Sequence, residues 1–247
     1  EDRALFSCDA FGAFGALNGK IFDDEIDLRM VESESKRYLS VIITSYFKFV
    51  QQALAKVRQL NIPIQIIAPS HGPVYRKDPM WIVERYDRWT RPELERYCAI
   101  VYASMYGYCH RLAIRLKREL TGLGVQVRVH NVSYSDISRV LTDAVHAGVL
   151  VIGTPTYDAY PFPKIWAFVN EIEGKRFPKR PIGLFGTFGW GGGGVKKIRK
   201  TLTEDLRLEL IEPVVEARAR PTAEEEQALR QLAQTIAERL KTGNFRD

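Results

Sequence analysis

The chain has 247 residues, 45% hydrophobic and 11% aromatic, a composition that can bury a substantial core and excludes a disordered polymer. Apolar runs such as Gly148–Gly153 fall far short of the roughly 20 residues a membrane-spanning helix needs, so no membrane protein of that kind is expected. The formal charge of +6 favours an acidic partner, but the basic residues are spread over most helices and carry no nucleic-acid-binding motif, so nucleic acid is not expected.

The chain opens at Glu1-Asp2-Arg3, with neither a methionine nor a secretory signal, and reads as a start that has been cut. Its three cysteines, Cys8, Cys98 and Cys109, are odd in number and lack CxxC spacing, which fits a reducing, cytoplasmic setting better than a disulfide framework or a cysteine zinc site. A strand and turn over Leu5–Gly12 lead into a long amphipathic helix expected from about Glu34 to Leu60. An apolar strand over 62–68 follows, then the loop Pro69-Ser70-His71-Gly72-Pro73 and a short helix containing Trp81, Ile82 and Tyr86. Residues 1–92 hold too few strands for an independent mixed α/β layer structure, and Asp87–Glu93, with Pro92, reads as a linker.

From Glu93 onward strands and helices alternate. Expected strands are Tyr97–Ala103, Val125–Val129, Gly148–Ile152, Pro181–Phe185 and Leu208–Glu216. Expected helices are one carrying Leu112, Leu116 and Leu120, then Ser135–His146, Pro163–Ile172, Val195–Glu204, and a last one opened by Thr222 and Glu225 in capping-box spacing. The fully apolar third strand fits the centre of a parallel sheet buried on both faces. Five βα units with right-handed crossovers predict a doubly wound α/β domain over 93–247, with the flavodoxin-like strand order 2-1-3-4-5.

In such a sheet ligands sit at the carboxyl ends of the strands near the switch point between the first and third. The first loop there, Ser104-Met105-Tyr106-Gly107-Tyr108-Cys109, joins a strand to a helix start, where a hydroxyl and free backbone N–H groups suit a phosphate. It has neither a Gly-x-x-x-x-Gly-Lys nor a Gly-x-Gly-x-x-Gly, which excludes a nucleoside triphosphate loop and argues against a dinucleotide site. The second loop is Thr154-Pro155-Thr156-Tyr157 after Gly153. The third contains Thr187, Phe188, Gly189, Trp190 and Gly191, within a run of six glycines in nine positions. A planar aromatic ligand with a phosphate tail uses all three loops at once, and that description is flavin mononucleotide (FMN).

The motifs SMYG (104–107), GTPTY (153–157) and FGTFGWGGGGV (185–195) resemble the flavodoxin domain of the flavodiiron proteins, also called A-type flavoproteins. FSCDAFGAFG (6–15) and APSHGPVYR (68–76) resemble the second half of that family's metallo-β-lactamase-like αββα domain. The resemblance covers nearly the whole chain and implies reduction of O2 to water or NO to N2O at a non-haem diiron centre fed through FMN. It implies Asp9 as a carboxylate bridging two irons and His71 as an imidazole ligand, chemistry that suits both side chains. It also implies a head-to-tail homodimer or higher oligomer and an acidic electron donor such as a rubredoxin or a reductase. The basic cluster from Lys175 to Lys200, which includes Lys179, Arg180, Lys196, Lys197 and Arg199, reads first as a solvated face; its Lys196–Lys200 part, just after the glycine loop, is expected to help dock that donor.

Two departures qualify the resemblance. The family's other ligands, a His-x-Glu-x-Asp motif and further histidines, belong upstream of Asp9 and are absent from this sequence. Tyr108-Cys109 stands where the family usually has a small polar residue and a threonine. A thiol is the poorer donor, and at a helix start Cys109 is open both to a packing role and to a lowered pKa with redox sensitivity. An iron-free FMN electron-transfer protein or subunit is therefore the main alternative. An interaction subunit that has lost both sites and a metallo-hydrolase are the remaining readings.

Overall fold

The computed structural model describes residues 3–246; Glu1, Asp2 and Asp247, the outermost positions of the two expected segments, lie outside the described residues. The chain divides into two compact units, 1–92 and 93–247.

In the first unit β1 (Ala4–Cys8) pairs in parallel with β2 (Ile66–Pro69). The single long helix expected between them is instead interrupted. Helix α1 (Leu28–Tyr38) starts on the Asp27 cap, passes through a wider π turn at 39–43 and a tighter 3-10 turn at 44–46, and resumes as α2 (Phe47–Leu60). The cause is local. Ser40 Oγ donates to the Lys36 carbonyl and Thr44 Oγ1 to the Ser40 carbonyl, both at 2.7 Å. This back-bonding, together with the β-branched run Val41-Ile42-Ile43-Thr44, disfavours a regular helix. Helix α3 (Pro79–Trp89) carries Ile82 and Tyr86 into the core. It also absorbs the first half of the expected linker, because the buried Asp87 carboxylate is paired with Arg58 at 3.1 Å and Arg91 at 2.5 Å.

In the second unit the parallel strands are β3 (Glu95–Tyr102), β4 (Val127–Asn131), β5 (Ala147–Tyr157), β7 (Ile182–Phe188) and β8 (Leu210–Arg218). They lie in the order β4-β3-β5-β7-β8, which is the expected 2-1-3-4-5. The two-residue strand β6 (Tyr160–Pro161), unforeseen in the sequence, folds back antiparallel on the end of β5. The helices are α4 (Tyr108–Gly122), α5 (Ile137–His146), α6 (Pro163–Gly174), α7 (Gly194–Lys200) and α8 (Ala223–Thr242). The first nine residues of β5 are buried, as its apolar run requires with both sheet faces covered. Leu112, Leu116 and Leu120 of α4 meet Leu229, Leu232 and Ile236 of α8 in one core cluster with Ile100 and Val151. The capping box on Thr222 and Glu225 is formed. Among the described residues no helix is long and apolar enough to cross a membrane.

Candidate cofactor and metal sites

The switch point lies where β3 and β5 end side by side. Ser104 begins the first loop, and its Oγ accepts from the Gly107 amide at 3.1 Å and the His110 amide at 3.3 Å. Gly107 stands at the start of α4 with φ +86°, a conformation a Cβ would strain. The intrahelical ladder starts only with the Arg111 amide bonded to the Gly107 carbonyl. The amides of Met105, Tyr106, Tyr108 and Cys109 are left without an acceptor among the described residues. Unpaired N–H groups at the positive end of a helix form an anion site that needs no lysine.

Those residues line a cleft with about 430 Å³ of free space, part of it open to solvent. Ser104, Met105, Tyr106, Tyr108 and Cys109 form one wall, and Pro155, Thr156, Thr187, Phe188 and Gly189 face them. Ala219, just past the end of β8, completes the lining. Nothing in the sequence around Ala219 signals this, because its position depends on β8 lying beside β7.

The remaining expected flavin-site residues border the cleft without lining it. Thr154 and Tyr157, read as loop, are the continuation of β5. Thr154 Oγ1 is buried, accepting from the Phe162 amide at 3.0 Å and donating to the Pro155 carbonyl at 2.9 Å. Trp190 is 99% exposed at the tip of the glycine loop, and Tyr157 is half-exposed at the end of β5. The glycines there serve two purposes. A Cβ on Gly189 or Gly191 would meet nothing within 4 Å, so these positions leave room for a ligand. A Cβ on Gly193 would overlap the Ala159 carbonyl, and one on Gly194 would lie 3.0 Å from Thr156 Oγ1. These two glycines let the loop pack against the β5–β6 hairpin.

Cys109 is 1% exposed, with its Sγ 3.2 Å from Thr187 Oγ1. Burial pushes its thiol up to about 12, against a smaller lowering by its bonds to Thr187. The lowered pKa considered for a cysteine at a helix start is thus overturned: loss of solvent outweighs the helix end. Arg180 likewise leaves the expected basic surface. It is 5% exposed and donates to the Val145 and Ala147 carbonyls at 2.8 Å, closing the end of α5.

In the first unit the ends of β1 and β2 bring Asp9 and His71 together, His71 Nε2 lying 3.6 Å from Asp9 Oδ1 with both side chains more than half exposed. Close packing of two loops makes the approach. The Ala13 amide donates to the His71 carbonyl at 3.2 Å, and Gly72, at φ +83°, leaves no room for a Cβ against Ala13. Tyr75 and Tyr86, both buried, donate their hydroxyls to the carbonyls of Phe11 and Gly12 at 3.3 and 3.2 Å, fastening the Asp9 loop from below. Asp23, 4% exposed, accepts from the amides of Arg76, Lys77 and Asp78 and fixes the far end of the His71 loop.

Tyr38, missed in the sequence, faces the same pair. Burial, and then the adjacent Asp9 carboxylate, pushes its hydroxyl up to about 12, and its ring lies 5.6 Å from that of His71. Its only sequence signal is its place on the apolar stripe of α1. Asp9 and His71 fit one side of a metal centre, a carboxylate beside an imidazole. No group of three His, Cys, Asp or Glu that could hold a metal occurs among the described residues. Two donors do not make a diiron site, so the pair fits such a centre only as part of a larger ligand set.

Residues 100–232 match the Flavodoxin family. The match covers more than half of the chain, and the chain belongs to that family. Over nearly its whole length, both units included, it is similar more narrowly to flavodiiron proteins. It is 31% identical to the nitric oxide reductase of Moorella thermoacetica over 97% of the chain and 60% of that protein. It is also 31% identical to the anaerobic nitric oxide reductase flavorubredoxin of Pectobacterium carotovorum, over 83% of the chain and 41% of that protein. Rubredoxin oxygen:oxidoreductase from Desulfovibrio gigas superposes with a TM-score of 0.91 at 25% identity, covering 97% of the chain and 60% of that structure. The flavodiiron protein of Giardia intestinalis follows at 0.88 and 25%, covering 97% and 59%. The chain therefore spans at most about 60% of the length of these relatives.

Proposed function

We propose that this chain carries the flavin-binding part, and two of the iron ligands, of an oxidoreductase that reduces O2 to water, NO to N2O, or both. Electrons come from a reduced carrier through FMN, and the remaining iron ligands come from polypeptide outside this sequence. The observation that carries the reading is the first loop, where four unpaired amides meet at the mouth of a cleft with flat side chains and bare glycine backbone around it.

The amides of Met105, Tyr106, Tyr108 and Cys109 hold the phosphate of FMN, and Gly107 supplies the turn that aims them. Pro155, Thr156 and Tyr157 approach the ring from one strand end, and Thr187, Phe188, Gly189, Trp190 and Gly191 from the other. When bound, FMN takes up and passes on electrons singly or in pairs, and iron provides the centre at which the gas is reduced. Asp9 offers a carboxylate able to bridge two cations, and His71 a neutral imidazole. Tyr38 keeps its proton beside Asp9 and is placed to orient that carboxylate.

The donor is an acidic carrier of the rubredoxin or reductase kind, meeting Lys196, Lys197 and Lys200 beside the glycine loop. The assembly is a head-to-tail homodimer or higher oligomer, cytoplasmic in location.

Iron and acid-extracted flavin per chain, measured on the native assembly purified without added metal, test the reading. About one FMN and two irons are expected, followed by O2 and NO turnover. One FMN without iron would replace the proposal with the electron-transfer alternative, and loss of both cofactors would end it.

A further inference from the structure

A second cleft opens beside the flavin cleft, with about 860 Å³ of free space, much of it open to solvent. His110, Arg111, Arg115 and Arg118 of α4 form one wall; Arg220, Pro221 and Glu226, where β8 runs into α8, form the other. The two clefts adjoin through the chain itself. Cys109 lines one and His110 the other, and Ala219 lines one and Arg220 the other.

Arg111, Arg115 and Arg118 recur at helical spacing, which stacks their side chains on one face of α4. Only Arg115 is neutralised, by Glu226 at 2.7 Å and Glu119 at 3.9 Å. Arg111 lies over the Tyr108 ring at 5.8 Å. Like Arg118 and Arg220, it has no carboxylate partner among the described residues. Three exposed cations without a carboxylate partner around one concavity give it a positive field that an anion can answer. Every cation here is an arginine, whose planar fork meets phosphate oxygens in pairs, whereas a solvated face is served equally well by lysine.

We propose that this cleft binds the diphosphate of a small nucleotide. Arg118 and Arg220 take the phosphate oxygens from opposite walls, with Arg111 completing the charge. A single phosphate brings roughly two negative charges, too few for the three free cations, and a second phosphate makes up the difference. Ile114 and Pro221 supply apolar wall for a base or ribose. The Nδ1 of His110 is taken up by the Tyr102 hydroxyl at 2.6 Å, so Nε2 is the nitrogen that remains for the ligand. The part of the cleft set apart from bulk solvent, about 360 Å³, falls at the low end of the range of small-molecule sites, about 300–1,000 Å³. The site stands independently of the flavin reading, because its occupancy is measured directly.

The test is calorimetric titration of the full chain with ADP, with inorganic pyrophosphate as a second probe and sodium chloride at matched ionic strength as the control. Flavin fluorescence is followed in parallel. One saturable ADP site per chain is expected, tighter than pyrophosphate. Binding should weaken about tenfold in Arg118→Gln and again in Arg220→Gln, with flavin content and melting temperature unchanged. Absence of saturable binding, or an equal loss with matched sodium chloride, would overturn the proposal. Release of flavin by the probe would overturn it too, since the probe would then occupy the first loop. Pyrophosphate binding as tightly as ADP would remove the nucleotide assignment.

Discussion

Cys8 and Cys109 are both free thiols near strand or helix ends, yet the fold treats them oppositely: Cys8 is exposed and Cys109 is buried against Thr187. Because only the thiolate reacts, a thiol pushed up to about 12 is almost fully protonated at neutral pH. Alkylation of the native chain at pH 7.5 should modify Cys8 alone, and all three cysteines should react after denaturation. Rapid native labelling of Cys109 would contradict the burial described. Asp143 gives a second residue-scale test. Its Oδ2 accepts from His130 Nε2 at 2.7 Å and its Oδ1 from Arg128 Nη1 at 2.5 Å. Burial alone would raise this carboxyl, but the bonds from His130 and Arg128 outweigh it and hold it below its ordinary 3.8. A carboxyl depressed in the folded state adds stability above its unfolded pKa and loses it as pH falls through the lower folded value. The melting temperature should therefore drop below about pH 4. Asp143→Asn should cost about 1–2 kcal/mol at pH 7 and remove part of that acid dependence, as read by thermal melts.

At the scale of elements, two parts of the second unit depend on groups that composition does not distinguish from a surface. Arg180 reads as one more cation in a basic stretch, but its guanidinium lies inside the unit. It donates to the carbonyls of Ala144, Val145 and Ala147 at the end of α5, with Nε bonded to the Pro178 carbonyl at 3.0 Å. Burial lowers its pKa to about 10, which still leaves it charged at neutral pH. Arg180→Met should destabilise the unit by about 2–4 kcal/mol in denaturant melts, because it leaves buried carbonyls without donors. The glycine loop divides in the same way. Gly193→Ala should lower both melting temperature and flavin retention by clashing with Ala159, whereas Gly191→Ala should leave the melting temperature within about 1 °C, within the small effect of surface substitutions. Gly191 and Gly193 cannot be told apart in the sequence. Only the register of α7 against the β5–β6 hairpin separates a glycine that makes room for chain from one that leaves space for a ligand.

Across the whole molecule the positive balance becomes a kinetic prediction. Of the cluster after the glycine loop, Arg199 is paired with Glu212 at 2.6 Å and Lys200 approaches Glu204 at 3.8 Å, while Lys197 lies over the Trp166 ring. If an acidic donor meets this surface, its reduction of the flavin should slow steeply with added salt, since exposed charges are screened beyond about 8 Å at physiological ionic strength. Lys196→Glu with Lys197→Glu should lower the association rate about tenfold, while intrinsic flavin reduction by dithionite stays unchanged. A rate flat in salt would remove the lysine surface as the docking face.

What could be read along the chain follows from short-range periodicity. The apolar run of β5, the helical stripes of α4 and α8 and the Thr222–Glu225 box each depend on neighbours a few residues away, and together they mark the alternating strands and helices of a doubly wound sheet, for which 2-1-3-4-5 is the natural order. The break at Ser40–Thr44 was present in the sequence as a β-branched, hydroxyl-rich run, and was outweighed there by the longer amphipathic pattern around it. Contacts between distant segments were not legible. Asp9 and His71 are 62 residues apart in number, and their 3.6 Å approach depends on parallel pairing of β1 with β2 and on Gly72 lying against Ala13. The same holds for Tyr38 beside Asp9, for Ala219 in the cleft wall and for the pKa of Cys109. Each is a matter of which surfaces exclude water, and that is known only once the chain has closed on itself.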